Sequence, residues 1–356
     1  MHPEKGLGAS ALRRVSVITP CLNPGDRLMR CLDSLSAQTY SNVEHIVIDG
    51  GSTDGTVELA RTRGANVLSE PDRGQTDALN KGFALATGDY IGWLNADDWL
   101  VPQALERVAG TFAARPEVGW VYCDCEIRQD GASDEVVRPP ARLGKKTFDF
   151  GNRLTQPGTF IARWALDRVG ALDEEIHLAM DFDLWLRLVD AGVPAAYIPE
   201  ALAVFEIHPS SKTGRIDLSE FYREESFALL KSGRRRLAAA SLGRAAAAAA
   251  LTEGGRVDPD RLEMTIERFE RLATDWGLEV ERRVVRPAAF VEAARFEVQV
   301  SPRGFRHMAR TAPWMNGTSL RMLGRDALRG TPVIVRRVGR LRRRLERAST
   351  QASSQK

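Results

Sequence analysis

Residues 15–124 alternate short apolar runs, rich in β-branched residues, with segments in which apolar residues recur at helical spacing. This alternation predicts an α/β fold with a mostly parallel central sheet, built from strand–helix–strand units and flanked by helices. The predicted strands cover residues 15–19, 43–49, 65–70, 90–94 and 119–125. Ligands of open parallel sheets bind at the carboxyl ends of the strands, so residues 19, 49, 70–72 and 95–98 are expected to form one rim.

The rest of the chain divides by composition. Residues 1–13 form an N-terminal tail, and the polar residues 131–146 predict a loop before a second lobe at 147–214. Residues 215–330 have helical periodicity, and within them Asp258 is expected to cap a helix that has Pro259 at its first position. Residues 331–356 hold eight Lys or Arg and one Glu, a charge of +7 in a chain whose total is +3. They predict a basic amphipathic helix.

The cysteines and the apolar runs indicate a cytoplasmic protein. Cys21, Cys31, Cys123 and Cys125 lack the spacing of metal ligands, and their low density in a chain of 356 residues indicates reduced thiols that pack in the core. The first 14 residues have no apolar signal core. The most apolar run is short and interrupted by Arg244, so no membrane-spanning helix is expected.

The sequence DGGSTDGT, residues 49–56, follows the second predicted strand. Its glycines let a ligand approach the backbone, and its Ser, Thr and Asp side chains suit the start of a helix. It lacks the lysine of a phosphate-binding loop, and the chain has no GxGxxG, which disfavours nucleotide hydrolysis and a dinucleotide cofactor. An ordinary glycine-rich turn remains the alternative.

Two adjacent acids, Asp97 and Asp98, follow the strand predicted at 90–94. Like charges repel each other unless a cation, water or hydrogen-bond donors share them. A carboxylate and the oxygens of a diphosphate could hold a hard cation there, and the cation would neutralise charge on a leaving nucleoside diphosphate. The alternative is that these acids cap the helix expected to begin near Pro102.

Residues 15–60, 69–100 and 179–192 together resemble family 2 glycosyltransferases of the GT-A fold, in particular the bacterial branch that builds surface polysaccharides and O-antigen repeats. The likeness covers residues 14–214. It implies a GT-A catalytic domain there, with a nucleotide-binding half at 14–125 and an acceptor half at 147–214, followed by a C-terminal helical extension. It also implies a UDP-sugar donor and a divalent metal cofactor, Mn²⁺ or Mg²⁺.

The resemblance implies which residues bind the donor and the metal. Those of the base and ribose pocket would be Thr19, Pro20 and Asn23, with Asp49 beside them. Many family members carry a second Asp after that one, whereas this chain has Gly50. The segment that closes over the ribose, diphosphate or sugar would contribute Asp72, Arg73, Asn80 and Lys81. Asp97 would meet hydroxyls of the ribose or sugar, and the metal would be held by Asp98 together with His208.

The resemblance also implies a catalytic base in the second lobe. The segment AMDFDLWLRL matches the family's acid-Asp pair, with Met180 in place of the first acid and Asp181 as the base. Asp183 is the second choice, because an acid at a helix N-terminus is equally a partner of the helix dipole. A base that removes the proton of an acceptor hydroxyl during direct displacement implies inversion at the anomeric carbon.

Acceptors of this branch are often polyprenyl-linked, so the expected acceptor is a glycan or a lipid-linked sugar. The Arg-rich C-terminal helix is then expected to contact the cytoplasmic face of the membrane peripherally. No sequence feature supports nucleic-acid binding. Two alternatives remain, a sugar nucleotidyltransferase and a catalytically inactive membrane-associated scaffold. The first normally has a GxGTR-like stretch after the first strand, which this chain lacks.

Overall fold

The computed structural model describes residues 12–129, 134–149, 151–252, 257–278, 281–286 and 288–289. Its N-terminal half contains the predicted strands, which are β1 (Val15–Cys21), β2 (Val43–Asp49), β3 (Asn66–Ser69) and β4 (Tyr90–Trp93). β1 pairs in parallel with both β2 and β4, and β2 pairs in parallel with β3. The helices between them are α1 (Arg27–Ser36), α2 (Thr56–Thr62) and α3 (Gln75–Leu85). Every residue of β1 is buried, as expected for a parallel strand covered on both faces.

The second half adds five strands to the same sheet. They are β5 (Trp99–Leu100), β6 (Trp120–Gln129), β7 (Glu135–Val137), β8 (Thr159–Ala162) and β9 (Ala195–Ile207). The strand order is β3-β2-β1-β4-β8-β6-β9-β5, with β7 paired to β6. β8 was not predicted from sequence, and it is antiparallel to both β4 and β6. The sheet is therefore parallel in its first half and mixed in its second.

Three tryptophans join the sheet to the helix that carries the predicted base. The helices of this half are α4 (Ala104–Ala114), α5 (Arg163–Val169) and α6 (Met180–Asp190). Trp185 of α6 stacks between Trp93 of β4, at 6.1 Å, and Trp120 of β6, at 5.6 Å between ring centroids. Large aromatic surfaces buried in this way hold a helix firmly on a sheet. The start of α6 is thereby positioned against the carboxyl end of β4.

The C-terminal extension shares the core of the catalytic part. It consists of α7 (Leu218–Lys231), α8 (Arg235–Ala249) and α9 (Pro259–Asp275). One cluster of buried side chains runs from Val15 to Ala289, so the boundary expected at 214 does not separate two cores. The predicted cap of α9 is confirmed, because Asp258 accepts hydrogen bonds from the N–H groups of Asp260 and Arg261, each at 3.0 Å.

The predictions for cysteines and membrane spans can be compared with the described residues. All four cysteines are buried and free, which confirms the prediction that they pack in the core. No helix in the described part of the chain is long and apolar enough to cross a membrane. The N-terminal residues 1–11, the segment 291–330 of the extension and the predicted basic helix within 331–356 lie outside the described residues.

Candidate active site

A cavity of about 620 Å³ lies at the carboxyl ends of the strands, where the sheet meets the start of α6. The predicted site residues that line it are Pro20, Asn23, Asp72, Asp97, Asp181 and His208. The predicted residues that are not in its wall are Thr19, Asp49, Arg73, Asn80, Lys81, Asp98 and Asp183. The rim expected from strand topology therefore exists, although about half of the predicted site residues do not line the cavity.

The turns after β1 and β2 are tied together and form one wall. Asn23 has a positive φ of 46°, a backbone conformation that Asn tolerates better than most residues. Its N–H donates to Oγ of Ser52 at 2.7 Å, and its Oδ1 accepts from the N–H of Thr53 at 2.9 Å. The glycine-rich turn thus supports the wall through Asn23.

Asp49 and Thr19 lie behind this wall. The Asp49 carboxylate accepts hydrogen bonds from the backbone N–H groups of Gly51 and Ser52 and, at 2.6 Å, from the hydroxyl of Ser69. Burial acts to raise the pKa of Asp49, but these hydrogen bonds outweigh it and the pKa is lowered. Its charge therefore stabilises the turn. Thr19 is fully buried, and its Oγ1 lies 2.9 Å from Nε2 of His45.

The side chains of Arg73 and Lys81 point to neighbouring acids. Arg73 pairs with Asp77 at 3.1 Å and with Glu174 at 2.5 Å, and its side chain is 73% exposed. Lys81 pairs with Glu70 at 2.8 Å. These contacts hold the start of α3, and neither side chain reaches the cavity.

Asn80 connects the two lobes. Its Nδ2 donates to the carbonyl of Leu172 at 2.9 Å, and its Oδ1 accepts from the N–H of Leu172 at 2.9 Å. Both ends of the amide are therefore used by one backbone position of the second lobe. In this structure Asn80 acts as an anchor between the lobes, while Asp72 is the member of its motif that faces the cavity.

The adjacent acids Asp97 and Asp98 lie in different environments, one in the cavity wall and the other in the protein interior. Asp98 is fully buried and accepts from the N–H of Glu206 at 3.0 Å and from Nδ2 of Asn95 at 3.0 Å. Burial, and next the charge of Asp97, raise the pKa of Asp98 well above its usual range, while its two hydrogen bonds act in the other direction. Asp97 instead faces the cavity. The structure therefore does not place Asp98 in the cavity wall, where the resemblance expects it to hold the metal.

Asp97 and His208 form the pair that fits a cation. Oδ2 of Asp97 lies 3.1 Å from Nε2 of His208, and Nδ1 of His208 lies 2.9 Å from Oγ of Ser210. A carboxylate oxygen suits both Mn²⁺ and Mg²⁺, whereas an imidazole nitrogen is a softer ligand that fits a transition metal such as Mn²⁺ better than the oxygen-preferring Mg²⁺. Within the described ranges no group of three or more such ligands occurs, so a cation here would take further ligands from substrate and water.

Asp181 also lines the cavity, as the second residue of α6. Its Oδ2 accepts from Nδ2 of Asn152 at 2.7 Å, and its Oδ1 from the N–H of Phe182 at 2.7 Å. Burial raises the pKa of Asp181 to about 6, although the hydrogen bonds and the charge of Lys212 act to lower it. Such a carboxyl is suited to accept a proton near neutral pH.

Asp183 does not share this environment. It is 1% exposed, and its carboxylate is engaged by Nε of Arg187 at 2.8 Å and by Nζ of Lys231 at 3.1 Å. Because it is paired with two cations on the far side of α6, it is a structural residue in this fold. The second choice for the base is therefore not supported by the geometry.

Several lining residues had no signal in the sequence. They include Arg27, Trp93, Asn152, Gln156, Lys212 and Arg215. Gln156 donates to the carbonyl of Trp93 at 2.7 Å and accepts from Nδ2 of Asn95 at 3.2 Å, which joins the β8 region to the β4 loop. Asn152 and Gln156 come from a segment without periodicity, whose position depends on the unpredicted strand β8.

Comparison with known proteins identifies the family. Residues 16–165 match Glycosyl transferase family 2. A PGL/p-HBAD biosynthesis glycosyltransferase of Mycobacterium bovis is 38% identical over 179 residues, which are 48% of this chain and 68% of the relative. The chain belongs to glycosyl transferase family 2.

Other relatives of this family 2 glycosyltransferase differ from it in length. An uncharacterized glycosyltransferase of Rickettsia typhi is 29% identical over 212 residues, 56% of this chain, and the match spans 65% of that relative. The O-antigen biosynthesis protein RfbC of Myxococcus xanthus is 32% identical over 201 residues, 53% of this chain, but the match spans 15% of RfbC. The chain thus covers less than two thirds of both relatives.

A solved structure confirms the GT-A fold. The S. aureus TarS fragment 1–349, in complex with UDP-GlcNAc, superposes with a TM-score of 0.59 at 14% identity. The likeness covers 85% of this chain and 93% of the fragment. The predicted α/β fold of the GT-A type is therefore confirmed.

Proposed function

We propose that this chain transfers a sugar from a nucleoside-diphosphate donor, a UDP-sugar, to a hydroxyl group of an acceptor, with inversion at the anomeric carbon. One observation carries the proposal. A carboxyl whose pKa is about 6, that of Asp181 at the start of α6, lines the same cavity as a pair of candidate cation ligands, Asp97 after β4 and His208 after β9. These are the groups that a one-step displacement of a diphosphate requires.

The Asp97 and His208 side of the cavity would hold the leaving group. A divalent metal, Mn²⁺ or Mg²⁺, would supply neutralising charge to the diphosphate there. Arg27, Lys212 and Arg215 line the same cavity and add positive charge toward it. Positive groups placed where negative charge develops stabilise the transition state more than the ground state.

Asp181 would act as the general base. Its carboxylate takes the proton of the acceptor hydroxyl while the acceptor oxygen bonds to the anomeric carbon and the bond to the diphosphate oxygen breaks. Attack and departure on opposite faces of the carbon invert its configuration. Asn152 holds Oδ2 of Asp181 at 2.7 Å, and Asn152 is itself oriented because its Oδ1 accepts the N–H of Leu154 at 3.1 Å.

The acceptor in this proposal is a glycan or a polyprenyl-linked sugar. The name of RfbC, an O-antigen biosynthesis protein, supports a polysaccharide product. Ile216, Leu218 and Phe221 give the cavity an apolar side, which suits a lipid-linked acceptor. The charge of residues 331–356 supports peripheral attachment at the cytoplasmic face, because each basic residue contributes about 1 kcal/mol near an anionic surface.

Replacement of the proposed general base, Asp181, tests the sugar-transfer function. With a panel of nucleotide sugars and glycan acceptors, Asp181→Asn is expected to lower the rate of nucleoside-diphosphate release by about 10²- to 10⁴-fold, the usual contribution of a general base. Asp167→Asn is the matched control, because Asp167 is an exposed carboxylate on the neighbouring helix α5, outside the cavity, and this variant should retain transfer. A wild-type rate in Asp181→Asn would contradict the assignment of the base.

The same experiments separate the alternatives. A nucleotidyltransferase would release pyrophosphate from a nucleoside triphosphate and a sugar 1-phosphate, which we do not expect from this chain. An inactive scaffold would bind no nucleotide, whereas we expect nucleotide sugars with Mn²⁺ to raise the melting temperature, because a ligand that binds only the folded state stabilises it. The same shift without Mn²⁺ would contradict the proposed metal.

A further inference from the structure

The carboxylate of Asp72 occupies the space beside Gly50 that a side chain would need. A Cβ built on Gly50 would lie 2.6 Å from Oδ2 of Asp72. The backbone itself does not demand glycine here, since the positive φ values of this turn occur at Gly51 and Gly55 and not at Gly50. A side chain at this position would therefore have to displace the carboxylate of Asp72.

Asp72 reaches the cavity at the end of β1. The N–H of Gly50 donates to the carbonyl of Cys21 at 2.9 Å, and Cys21 lines the cavity. Oδ1 of Asp72 accepts from the N–H of Gly74 at 2.8 Å, which orients the carboxylate. Across the described segments of the chain, no hydrogen-bond donor contacts Oδ2. This oxygen is an uncommitted acceptor at the wall formed by the end of β1.

Three other acids of the nucleotide-binding half have partners of their own, and of these only Asp97 also lines the cavity. Asp49 uses its carboxylate for the turn after β2 and stands behind the wall. Asp98 is buried against Asn95 and the N–H of Glu206. Asp97 faces His208. Asp72 is thus the carboxylate that this wall presents to a ligand.

We propose that Asp72 reads the base of the donor nucleotide, with Oδ2 accepting a hydrogen bond from a ring N–H on the pairing edge of the base. The inference rests on the proposed function, because it concerns the donor of the same cavity. Pro20, Leu22 and Pro24 line the cavity beside this point and offer a flat base an apolar surface.

This hydrogen bond selects among bases by chemistry. Uracil, thymine and guanine carry a ring N–H on the pairing edge, whereas cytosine and adenine have a ring nitrogen that accepts. A carboxylate opposite an accepting nitrogen leaves both acceptors unpaired, and a site built for a hydrogen bond rejects such ligands strongly. The enzyme is therefore expected to bind UDP more tightly than CDP.

Calorimetric titration of the full-length protein with UDP and CDP, each with Mn²⁺, tests the inference. For the wild type we expect UDP to bind about 10- to 100-fold more tightly, the usual contribution of a hydrogen bond to a charged group. In Asp72→Asn the amide can donate to the ring nitrogen of cytosine, so the preference should fall about 10-fold or more. An unchanged preference in this variant would overturn the inference.

Gly50→Ala provides a second test that keeps the chemistry of Asp72. The added methyl group displaces Oδ2, so the preference for UDP should fall again while the melting temperature shows a folded protein. Gly110→Ala is the control, because Gly110 is exposed in α4 and a Cβ there has no neighbour within 4 Å. A full UDP preference in Gly50→Ala would contradict the role of this contact.

The experiments distinguish the proposal on recognition of the nucleobase from the proposal on sugar transfer. Selective UDP binding that depends on Asp72, without release of UDP from any nucleotide sugar, would overturn the transferase proposal and retain base reading. Sugar transfer from a UDP-sugar with equal UDP and CDP affinities would overturn base reading and retain the transferase. Failure of both nucleotides to bind would overturn both.

Discussion

Asp181 must be charged to accept a proton, and its environment controls that charge. Burial raises its pKa to about 6, and the hydrogen bond from Asn152 favours the charged form. A base is active when it is deprotonated, so kcat/KM is expected to fall as the pH drops below about 6. It should stay level from about 6 to 8 and fall again above about 8, where Lys212 loses the positive charge that it adds to the cavity. Lys212, which also faces Asp181, stays protonated through this acidic range, although burial lowers its pKa to about 8.

Replacement of Asn152 should shift the acidic limb of the kcat/KM profile to higher pH. In Asn152→Ala the charged form of Asp181 loses a hydrogen bond, so its pKa rises and the midpoint of the kcat/KM profile shifts upward by about one pH unit. The profile is measured between pH 4.5 and 9. Asn66→Ala, at an exposed site on β3, should leave the midpoint unchanged. A lower kcat with an unmoved midpoint would show that Asn152 has only a structural role.

Residue identity and residue placement were not equally predictable. The acids at 97 and 98 follow a strand, so their arrival at the rim could be read from sequence. Which of the two acids is buried depends on β9, because the N–H of Glu206 in that strand donates a hydrogen bond to Asp98. That strand lies more than 100 positions away in the chain, and local spacing carries no information about it. The same holds for Asn80, which anchors Leu172 of the second lobe.

At the scale of elements, α6 depends on a residue of the helical extension. Oε2 of Glu224, on α7, accepts from the N–H groups of His177, Leu178 and Ala179 at 2.9, 2.5 and 3.0 Å. These residues lead into α6, which carries Asp181. A buried carboxylate with three backbone donors is a strong hydrogen-bonded contact.

Glu224→Gln should loosen the start of α6. The neutral amide accepts these hydrogen bonds less strongly, so the free energy of unfolding is expected to fall by about 1–3 kcal/mol and the transfer rate to fall with it. Urea unfolding and steady-state kinetics measure the two effects. Glu220→Gln, which breaks an exposed pair with Arg223 on the same helix, should cost less than about 1 kcal/mol. Equal losses in both variants would contradict the role given to Glu224.

Local patterns predicted most of the elements between β1 and β4 and the cap of α9. Apolar alternation and helical spacing are properties of short segments, and capping needs only a few neighbouring residues. β8 was missed because its four residues, between a 3₁₀ turn and α5, are too few to show a periodicity of their own. It becomes a strand because β4 and β6 leave a gap that its backbone fills.

At the scale of the whole molecule, the extension completes both the core and the cavity. Leu218 and Phe221 of α7 line the cavity, and Glu224 supports α6. A chain that ends at residue 214 loses all three and exposes the apolar surface that α7 covers. We expect this shortened chain to aggregate, as measured by light scattering, or to melt at least about 10 °C lower, as measured by calorimetry. In the transfer assay we expect it to have no activity.

A chain that ends at residue 330 is the control for this truncation. It retains every described residue, so it should melt like the full-length protein and remain active on a water-soluble acceptor. It should no longer sediment with vesicles of anionic lipid, because the segment with a charge of +7 is removed. Equal vesicle binding by the full-length protein and by the chain that ends at residue 330 would contradict the proposed role of the C-terminal segment.

The sequence by itself determined the strand–helix alternation, the family and the set of polar residues at the strand ends, because these are recorded in short segments of fixed order. Only the tertiary structure decided which of those residues face the cavity. Asp49, Asn80 and Asp98 are used as internal hydrogen-bond partners, whereas Asp72, Asp97 and Asp181 line the cavity. The physical reason is that a buried carboxylate or amide takes whichever donors and acceptors the fold places beside it.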